Sequence, residues 1–142
     1  MKTLALANGD LVVGPTGHQT VSGIPKIYQE VSLALGEEYG ADRFHPELGS
    51  ILMDFIGSPL DDETEMLVRA EIGRVIAQYI AVQQREVLQD HLNTRMSRFD
   101  ASDVVTGIQN IAAQVDFDTV RISATLVTQS GAQVQINRTV TT

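Results

Sequence analysis

The sequence contains no cysteine and no tryptophan, and aromatic residues make up only 5% of it. The absence of cysteine excludes disulfide frameworks, thiol catalysis and cysteine-based zinc sites. So few aromatic side chains argue against a stacking platform for bases or sugars. No run approaches the roughly 18 consecutive apolar residues that a membrane span requires. The N-terminal apolar run also breaks at residues 8–10, too early for a secretion signal, so we expect a soluble, unsecreted chain with no membrane partner.

Basic residues are also scarce: 10 Lys and Arg oppose 18 Asp and Glu, for a formal net charge of −8. Because nucleic-acid binding depends on clustered Lys and Arg side chains, this balance argues against a nucleic-acid partner. A hydrophobic fraction of 43% in 142 residues is typical of one globular domain with its own core. We predict that residues 1–23 form an N-terminal hairpin or arm and that residues 24–142 form a single domain.

The N-terminal hairpin is predicted from the tripeptide Asn8-Gly9-Asp10, which lies between two short apolar segments. Asn-Gly is the strongest short hairpin signal because both residues accept a positive φ. Residues 14–23 are rich in Gly, Thr, Ser and Pro and predict a loop or an extended arm. Because an isolated hairpin is only marginally stable, we expect this segment to pack against the core or a partner.

Helical periodicity dominates the middle of the chain. A first helix is predicted from Pro25, with one buried stripe formed by Ile24, Ile27, Tyr28, Val31 and Leu35. A second follows a turn at residues 43–50 and carries Leu48, Ile51, Leu52, Phe55 and Ile56. A third begins at Asp62, in a capping box with Glu65, and buries Val68, Ile72, Val75, Ile76 and Tyr79.

The pattern remains helical from Ala81 to Phe99 but becomes polar. Its narrow apolar stripe predicts a helix packed on one side only, through Leu88, Leu92, Met96 and Phe99. Residues 100–103 then form a boundary, after which the apolar period changes.

Apolar and polar residues alternate along the C-terminal segment on both sides of Gln129-Ser130-Gly131, which predicts a hairpin with one buried face. Residues 104–116 are ambiguous: Ile111, Ala113 and Val115 favour a third strand, whereas residues 104–108 are also compatible with a helix. The predicted fold is therefore α+β, with three to four helices packed on a small C-terminal antiparallel sheet.

The residue types that commonly carry chemistry lack the spacing that the chemistry needs. The three histidines, His18, His45 and His91, show no zinc-binding spacing. The glycines form no phosphate-binding loop, and Ser50 is not flanked as the serine of a nucleophile elbow is. We predict no catalytic residue, no metal-binding residue and no cofactor.

Carboxylates are a separate case, because a glycosidase needs only two of them. Glu37, Glu38 and Glu47 surround a Gly-rich turn, with Asp42 and Asp54 nearby. A catalytic acid requires an apolar pocket that raises its pKa, while its partner stays ionised. Because these side chains lie among turn residues and other acids, a solvated acidic rim is the favoured interpretation.

Arg85 lies where the apolar third helix gives way to a polar segment. One interpretation is a surface residue that pairs with Gln89 one turn away. The other is an interface residue that contacts a carboxylate or the backbone of a partner. Composition alone favours the surface role.

The motif Pro46-Glu47-Leu48-Gly49-Ser50, followed by Leu52, Asp54, Phe55, Ile56 and Gly57, resembles a known family. With the striped first helix, the acidic start of the third helix and the strand-rich tail, it makes residues 24–140 similar to the baseplate wedge and sheath-initiator family of contractile phage tails. This family has relatives in type VI secretion, and an older name calls it lysozyme-like. The family usually has Glu-Pro-Arg after the third helix, where this chain has Gln83-Gln84-Arg85, so only the arginine is shared.

The resemblance implies a non-enzymatic structural subunit of the virion tail baseplate, assembled in the host cytoplasm, with roughly six copies per particle. The implied partners are the tail sheath protein, other baseplate wedge proteins, and tail tube or spike hub proteins. Its sheet would nucleate sheath assembly by pairing strands with the first sheath ring. The alternative, which rests on the older family name, is a peptidoglycan-cleaving glycosidase.

The last strand is compatible with strand pairing, because residues 133–140 include the strand-favouring residues Val, Ile and Thr and carry one charge and no proline. Natural sheet edges are usually blunted by charges or proline, so an open edge suggests a partner, whereas a frayed terminal strand is the alternative. The residues assigned to partner binding are Arg85, Gln133, Val134, Gln135, Ile136, Asn137, Arg138, Thr139 and Val140.

Overall fold

A computed structural model describes residues 1–93 and 98–141 of the chain. The first six strands in these residues are β1 (Thr3–Leu4), β2 (Leu6–Ala7), β3 (Asp10–Leu11), β4 (Val13–Gly14), β5 (Gly17–His18) and β6 (Thr20–Val21). Helix α1 (Ile24–Gly36), a 3₁₀ helix (Leu52–Phe55) and helix α2 (Asp62–Leu92) follow. The chain continues with strands β7 (Val105–Val115), β8 (Thr119–Thr128) and β9 (Gln133–Thr141).

The predicted α+β fold, with three to four helices on a C-terminal sheet, is wrong. The described residues contain two α-helices, and their nine strands belong to four small sheets. Three local differences account for the error. The N-terminal segment is richer in strands than a single hairpin, the predicted second helix is absent, and the predicted third helix continues into the fourth.

The N-terminal segment consists of three short antiparallel pairs, β1 with β6, β2 with β3, and β4 with β5. The predicted turn is confirmed, since Asn8 (φ 53°) and Gly9 (φ 81°) join β2 to β3. Ala5, Val12 and Gln19 lie where the pairs meet, and their backbones form a ring of three hydrogen bonds of 2.8 to 3.0 Å. The division of the chain at residue 23 stays a prediction.

Asp103 ties this segment to the rest of the molecule. Its side chain is buried and accepts hydrogen bonds from the backbone of Gly23 (2.7 Å) and Asp100 (3.0 Å) and from the α-amino group of Met1 (2.7 Å). Burial by itself raises the pKa of Asp103, but the three hydrogen bonds outweigh it and lower that pKa overall. The ionised carboxylate therefore fastens the start of α1 to the turn before β7.

Helix α1 buries only part of its predicted stripe. The fully buried members are Ile27, Val31 and Leu35. Ile24 and Tyr28 are 40% and 41% exposed, so the prediction of a completely buried stripe is wrong for these two residues. Both lie in the first turns of the helix.

The helix predicted around residues 48–56 is replaced by extended backbone and a single 3₁₀ turn. Gly49 has a φ of 103°, and a Cβ atom there would lie 2.5 Å from the carbonyl oxygen of Glu38. The next residue, Ser50, forms a parallel bridge with Glu38. Because this bridge holds the backbone extended, regular structure begins only at Leu52, whose side chain is fully buried.

Helix α2 starts at the predicted residue, but its cap is Asp61, whose side chain accepts a 2.8 Å hydrogen bond from the backbone of Thr64. The predicted buried face is confirmed for all five residues: Val68, Ile72, Val75, Ile76 and Tyr79. The predicted third helix and the helical segment after it form one helix of 31 residues. Among the described residues, no helix has both the length and the apolar character of a membrane span.

The predicted one-sided packing of the polar helical segment is wrong for Leu88 and Leu92, which are 57% and 73% exposed. At roughly 1.5 Å per residue α2 is about 46 Å long, which exceeds the length of the strands it packs on. Met96 lies outside the described residues. Phe99 is buried, but it follows the end of the helix.

The C-terminal sheet is antiparallel, in the order β7-β8-β9. The predicted hairpin is confirmed as β8 and β9, and the ambiguous segment is strand β7. Helix α1 packs against β9 and α2 packs against β7. The core between them includes Val105, Val120, Ile122, Ala124, Leu126, Val134, Ile136 and Val140 from the sheet.

A charged clamp holds the 3₁₀ segment on α2. The buried carboxylate of Glu71 accepts hydrogen bonds from the backbone of Ile51 (3.0 Å) and from Arg74 (2.6 and 2.8 Å). Arg74 in turn donates to the carbonyl of Gly49 (2.9 Å). Burial raises the pKa of Glu71, but the bonds from Arg74 and Ile51 lower it overall.

The close approach of Gly49 to the backbone of Glu38 predicts that alanine is more destabilising at Gly49 than at Gly57. Gly49→Ala should cost about 2–5 kcal/mol of unfolding free energy, because the left-handed conformation and a backbone clash add together. Gly57→Ala is the matched control: Gly57 has a φ of 84°, but a Cβ atom there would have no neighbour within 4 Å, so its cost should be about 1–2 kcal/mol. If urea denaturation shows equal losses of unfolding free energy for the two variants, the close approach at Gly49 is contradicted.

The clamp formed by Glu71 and Arg74 predicts a pH-dependent contribution to the free energy of unfolding. Glu71→Gln should cost about 1–3 kcal/mol at neutral pH, because a charged hydrogen-bond acceptor is lost. The folded pKa lies below the ordinary 4.5, so this stabilisation is complete above that value and is lost as the pH falls through the lower folded pKa. Denaturation curves at several pH values should converge for wild type and variant in acid. Glu65→Gln, in an exposed pair with Arg69 at 3.8 Å, is the control and should have little effect.

Candidate functional site: the free edge of the C-terminal sheet

Strand β9 is an edge strand, and its backbone groups alternate between the neighbouring strand and the outside. The backbone N–H of Thr128 donates to Ala132 (2.9 Å), and the register then pairs Leu126 with Val134 and continues without a shift. In an antiparallel ladder, hydrogen-bonded and non-hydrogen-bonded pairs alternate. The even-numbered residues of β9 therefore bond to β8, whereas the odd-numbered residues direct N–H and C=O groups away from it.

The outward groups belong to Gln133, Gln135, Asn137 and Thr139. Among the described residues, only the carbonyl of Asn137 has a partner: it accepts a 3.0 Å hydrogen bond from the hydroxyl of Tyr28 on α1. The remaining outward groups have no partner in residues 1–93 and 98–141 and form a row of donors and acceptors, which is the template that an added strand requires.

The opposite edge of the sheet is less suited to strand addition. Strand β7 has register shifts between Val105 and Gly107 and between Ile108 and Asn110. Bulges of this kind bend and twist a strand and are a common means of blunting an edge. Because β9 pairs with β8 without such a shift, β9 presents the regular edge.

The predicted strand residues divide between two faces. Val134, Ile136 and Val140 are buried beneath the helices, whereas the odd-numbered side chains are exposed and polar. Arg138 falls on the helix side, and a Cβ atom at Gly36 would lie 2.6 Å from its guanidinium. Its charge therefore lies at the C-terminal end of α1, where the helix dipole favours a cation.

Arg85 is not part of this edge. It lies on α2, which packs against β7, and its guanidinium donates a 3.2 Å hydrogen bond to Glu47. The expected surface pairing partner, Gln89, is thus replaced by a residue of the turn before the 3₁₀ helix. The arginine side chain is 59% exposed, which leaves part of it accessible to a partner.

The other sequence candidates are placed as follows. Glu47 is paired with Arg85, Glu38 contributes its backbone to the bridge with Ser50, and His45 lies 3.8 Å from Glu86. His18 and His91 are exposed. No group of three or more metal-ligating side chains is assembled among the described residues.

A cleft of about 310 Å³ between α1 and α2 was not predicted. In it, Glu30 accepts hydrogen bonds from Lys26 (3.0 Å) and from the hydroxyl of Tyr79 (2.7 Å). Burial and the nearby Glu30 carboxylate raise the pKa of Tyr79 well above its usual range, so the phenol stays protonated. The spacing of Lys26 and Glu30, one helical turn apart, was the available signal in the sequence.

The position of Tyr28 at the sheet edge was also missed, because the helical stripe predicts burial of that side chain. The available signal was its polar hydroxyl within an otherwise aliphatic stripe, since a tyrosine often keeps one end in contact with water or a polar group.

Comparison with known proteins supplies no relative. No protein-family model matches the chain, and searches of curated proteins and of solved structures find no match. The resemblance to the sheath-initiator family therefore stays a prediction.

The exposure of Arg85 predicts a small contribution to stability. Arg85→Ala should change the unfolding free energy by less than about 1 kcal/mol, because exposed ion pairs are weak. Arg74→Ala is the comparison variant and should be costlier, since Arg74 bonds both Glu71 and Gly49. Chemical denaturation of both variants checks this. A comparable loss in Arg85→Ala would mean that this residue serves the fold rather than an interface.

Proposed function

We propose that this chain is a structural assembly subunit whose strand β9 accepts a strand from a partner. The observation that carries the proposal is the regular, largely unpaired outer edge at Gln133, Gln135, Asn137 and Thr139. In such β-augmentation, main-chain hydrogen bonds supply affinity and the alternating side chains supply register.

The resemblance to the sheath-initiator family extends the proposal to a contractile tail baseplate, with the first ring of tail sheath as the strand donor. Wedge and hub proteins would hold the subunit around the tube axis. Arg85 is the candidate anchor to a wedge partner, because much of its guanidinium side chain is exposed beside Glu47. In place of the family's acidic residue stands Gln83, which is buried and bonds to the backbones of Asp103 (2.6 Å) and Val105 (2.8 Å).

The alternative, a peptidoglycan-cleaving glycosidase, requires a carboxyl group with a raised pKa beside an ionised one. Asp61, Glu71 and Asp103 each have a lowered pKa, because hydrogen-bond donors stabilise their ionised forms. None of these three carboxyl groups is therefore a candidate for the catalytic acid. Loss of turbidity when purified protein is added to cell walls would favour the glycosidase instead.

Proline substitution tests the edge directly. Gln135→Pro removes an outward N–H and leaves the inward ladder to β8 intact, because residue 135 does not donate to β8. We expect the purified variant to keep a melting temperature close to that of wild type. In assembling particles, tubes should form but sheath should fail to polymerise around them, as seen by electron microscopy.

Gln135→Val is the matched control, since it changes the same side chain but retains the N–H. Particles with this variant should carry normal sheaths. Normal-length contractile sheaths on Gln135→Pro particles would show that sheath initiation does not use this edge.

A further inference from the structure

The side chain of Tyr28 lies at the position that an added strand would occupy. Its hydroxyl donates to the carbonyl of Asn137, which points away from β8, so the phenol must reach past the outer edge of β9. An added strand would direct one of its own N–H groups to this carbonyl. The Tyr28 hydroxyl and the incoming strand therefore compete for one acceptor.

The same part of α1 is apolar and incompletely covered. Ile24 lies one turn before Tyr28 on the same helix face, and the two side chains are 40% and 41% exposed. One turn after Tyr28, the hydroxyl of Ser32 is buried and has no hydrogen-bond partner among the described residues. Two successive positions on this face, Ile24 and Tyr28, are thus only partly covered by the described residues, and the buried Ser32 hydroxyl beside them lacks a hydrogen-bond partner there.

We propose that Ile24 and Tyr28, here called the α1 ledge, select the strand that docks on β9, an inference that rests on the proposed function. Because successive side chains of a strand point to opposite faces, the docked strand would place every second side chain over the α1 ledge. The intervening side chains would extend the polar outer face formed by Gln133 and Gln135. The partner segment is therefore an extended strand that alternates apolar and uncharged polar residues.

Tyr28 has two separable effects in this arrangement. Its ring offers apolar contact area to the incoming strand, while its hydroxyl must release Asn137 before that strand can pair along its full length. Removing the hydroxyl alone should therefore strengthen docking, and removing apolar area from the ledge should weaken it.

The test uses the full-length protein and a labelled nine-residue peptide of alternating valine and threonine, with binding measured by fluorescence anisotropy. A second peptide has the same composition, but its valines and threonines are grouped so that the alternation is lost. Tyr28→Phe should bind the alternating peptide about two- to tenfold more tightly, because one competing hydrogen bond is gone. Ile24→Ser should bind it about tenfold more weakly.

Leu88→Ser is the matched control: it also replaces an exposed apolar residue, but on α2, and should leave binding unchanged. Circular dichroism establishes that each variant is folded. If Ile24→Ser does not fold, Tyr28→Phe alone tests whether the Tyr28 hydroxyl competes with the docked strand for the carbonyl of Asn137. Gln135→Pro should abolish binding in every background.

The outcomes separate the two proposals. If the alternating peptide binds neither wild type nor Tyr28→Phe, strand docking on β9 and the role of the ledge are both wrong. If Gln135→Pro abolishes binding but Tyr28→Phe and Ile24→Ser leave it unchanged, the edge docks strands and only the ledge proposal is overturned. Equal affinity for the alternating and grouped peptides would also overturn selection by the ledge.

Discussion

The packing of two helices on one face of a three-stranded sheet is the constraint on which the other features depend. Helix α1 covers β9 and α2 covers β7, so apolar residues of all three strands are buried or, in most of β7, partly buried on one side. Burial of this kind fixes the register, because a shift of one residue would turn every apolar side chain outward. Within the described part of the chain, it leaves the outward backbone groups of β9 without a strand partner, and these groups form the candidate site.

Ionised side chains join the irregular segments to this packed unit. Glu71 and Arg74 hold the backbone at Gly49 and Ile51, while Asp103 fastens the backbone at Gly23. A buried carboxylate is costly unless hydrogen bonds stabilise it, and both carboxylates have several donors. Irregular segments, whose structure helical periodicity does not predict, are therefore held in place by hydrogen bonds to ionised side chains.

The two edges of the sheet differ in the regularity of their strand pairing. Irregular pairing disrupts β7, whereas β9 remains regular and has α1 beside it. A partner strand on β9 would gain backbone hydrogen bonds from the edge and apolar contact from the helix. Combining the two would make recognition depend on side-chain pattern as well as on the main chain.

The sequence by itself determined the Asn8-Gly9 turn, the buried face of α2 and the alternation of the β8–β9 hairpin, because each depends on residues close together in the chain. Tertiary structure decided that Ser50 is held in a bridge with Glu38 rather than in a helix, and that Arg85 meets Glu47 rather than Gln89. It also decided the exposure of Ile24 and Tyr28. Periodicity identifies side chains that share a helix face, but burial requires a neighbouring element opposite them, and the described sheet ends at β9.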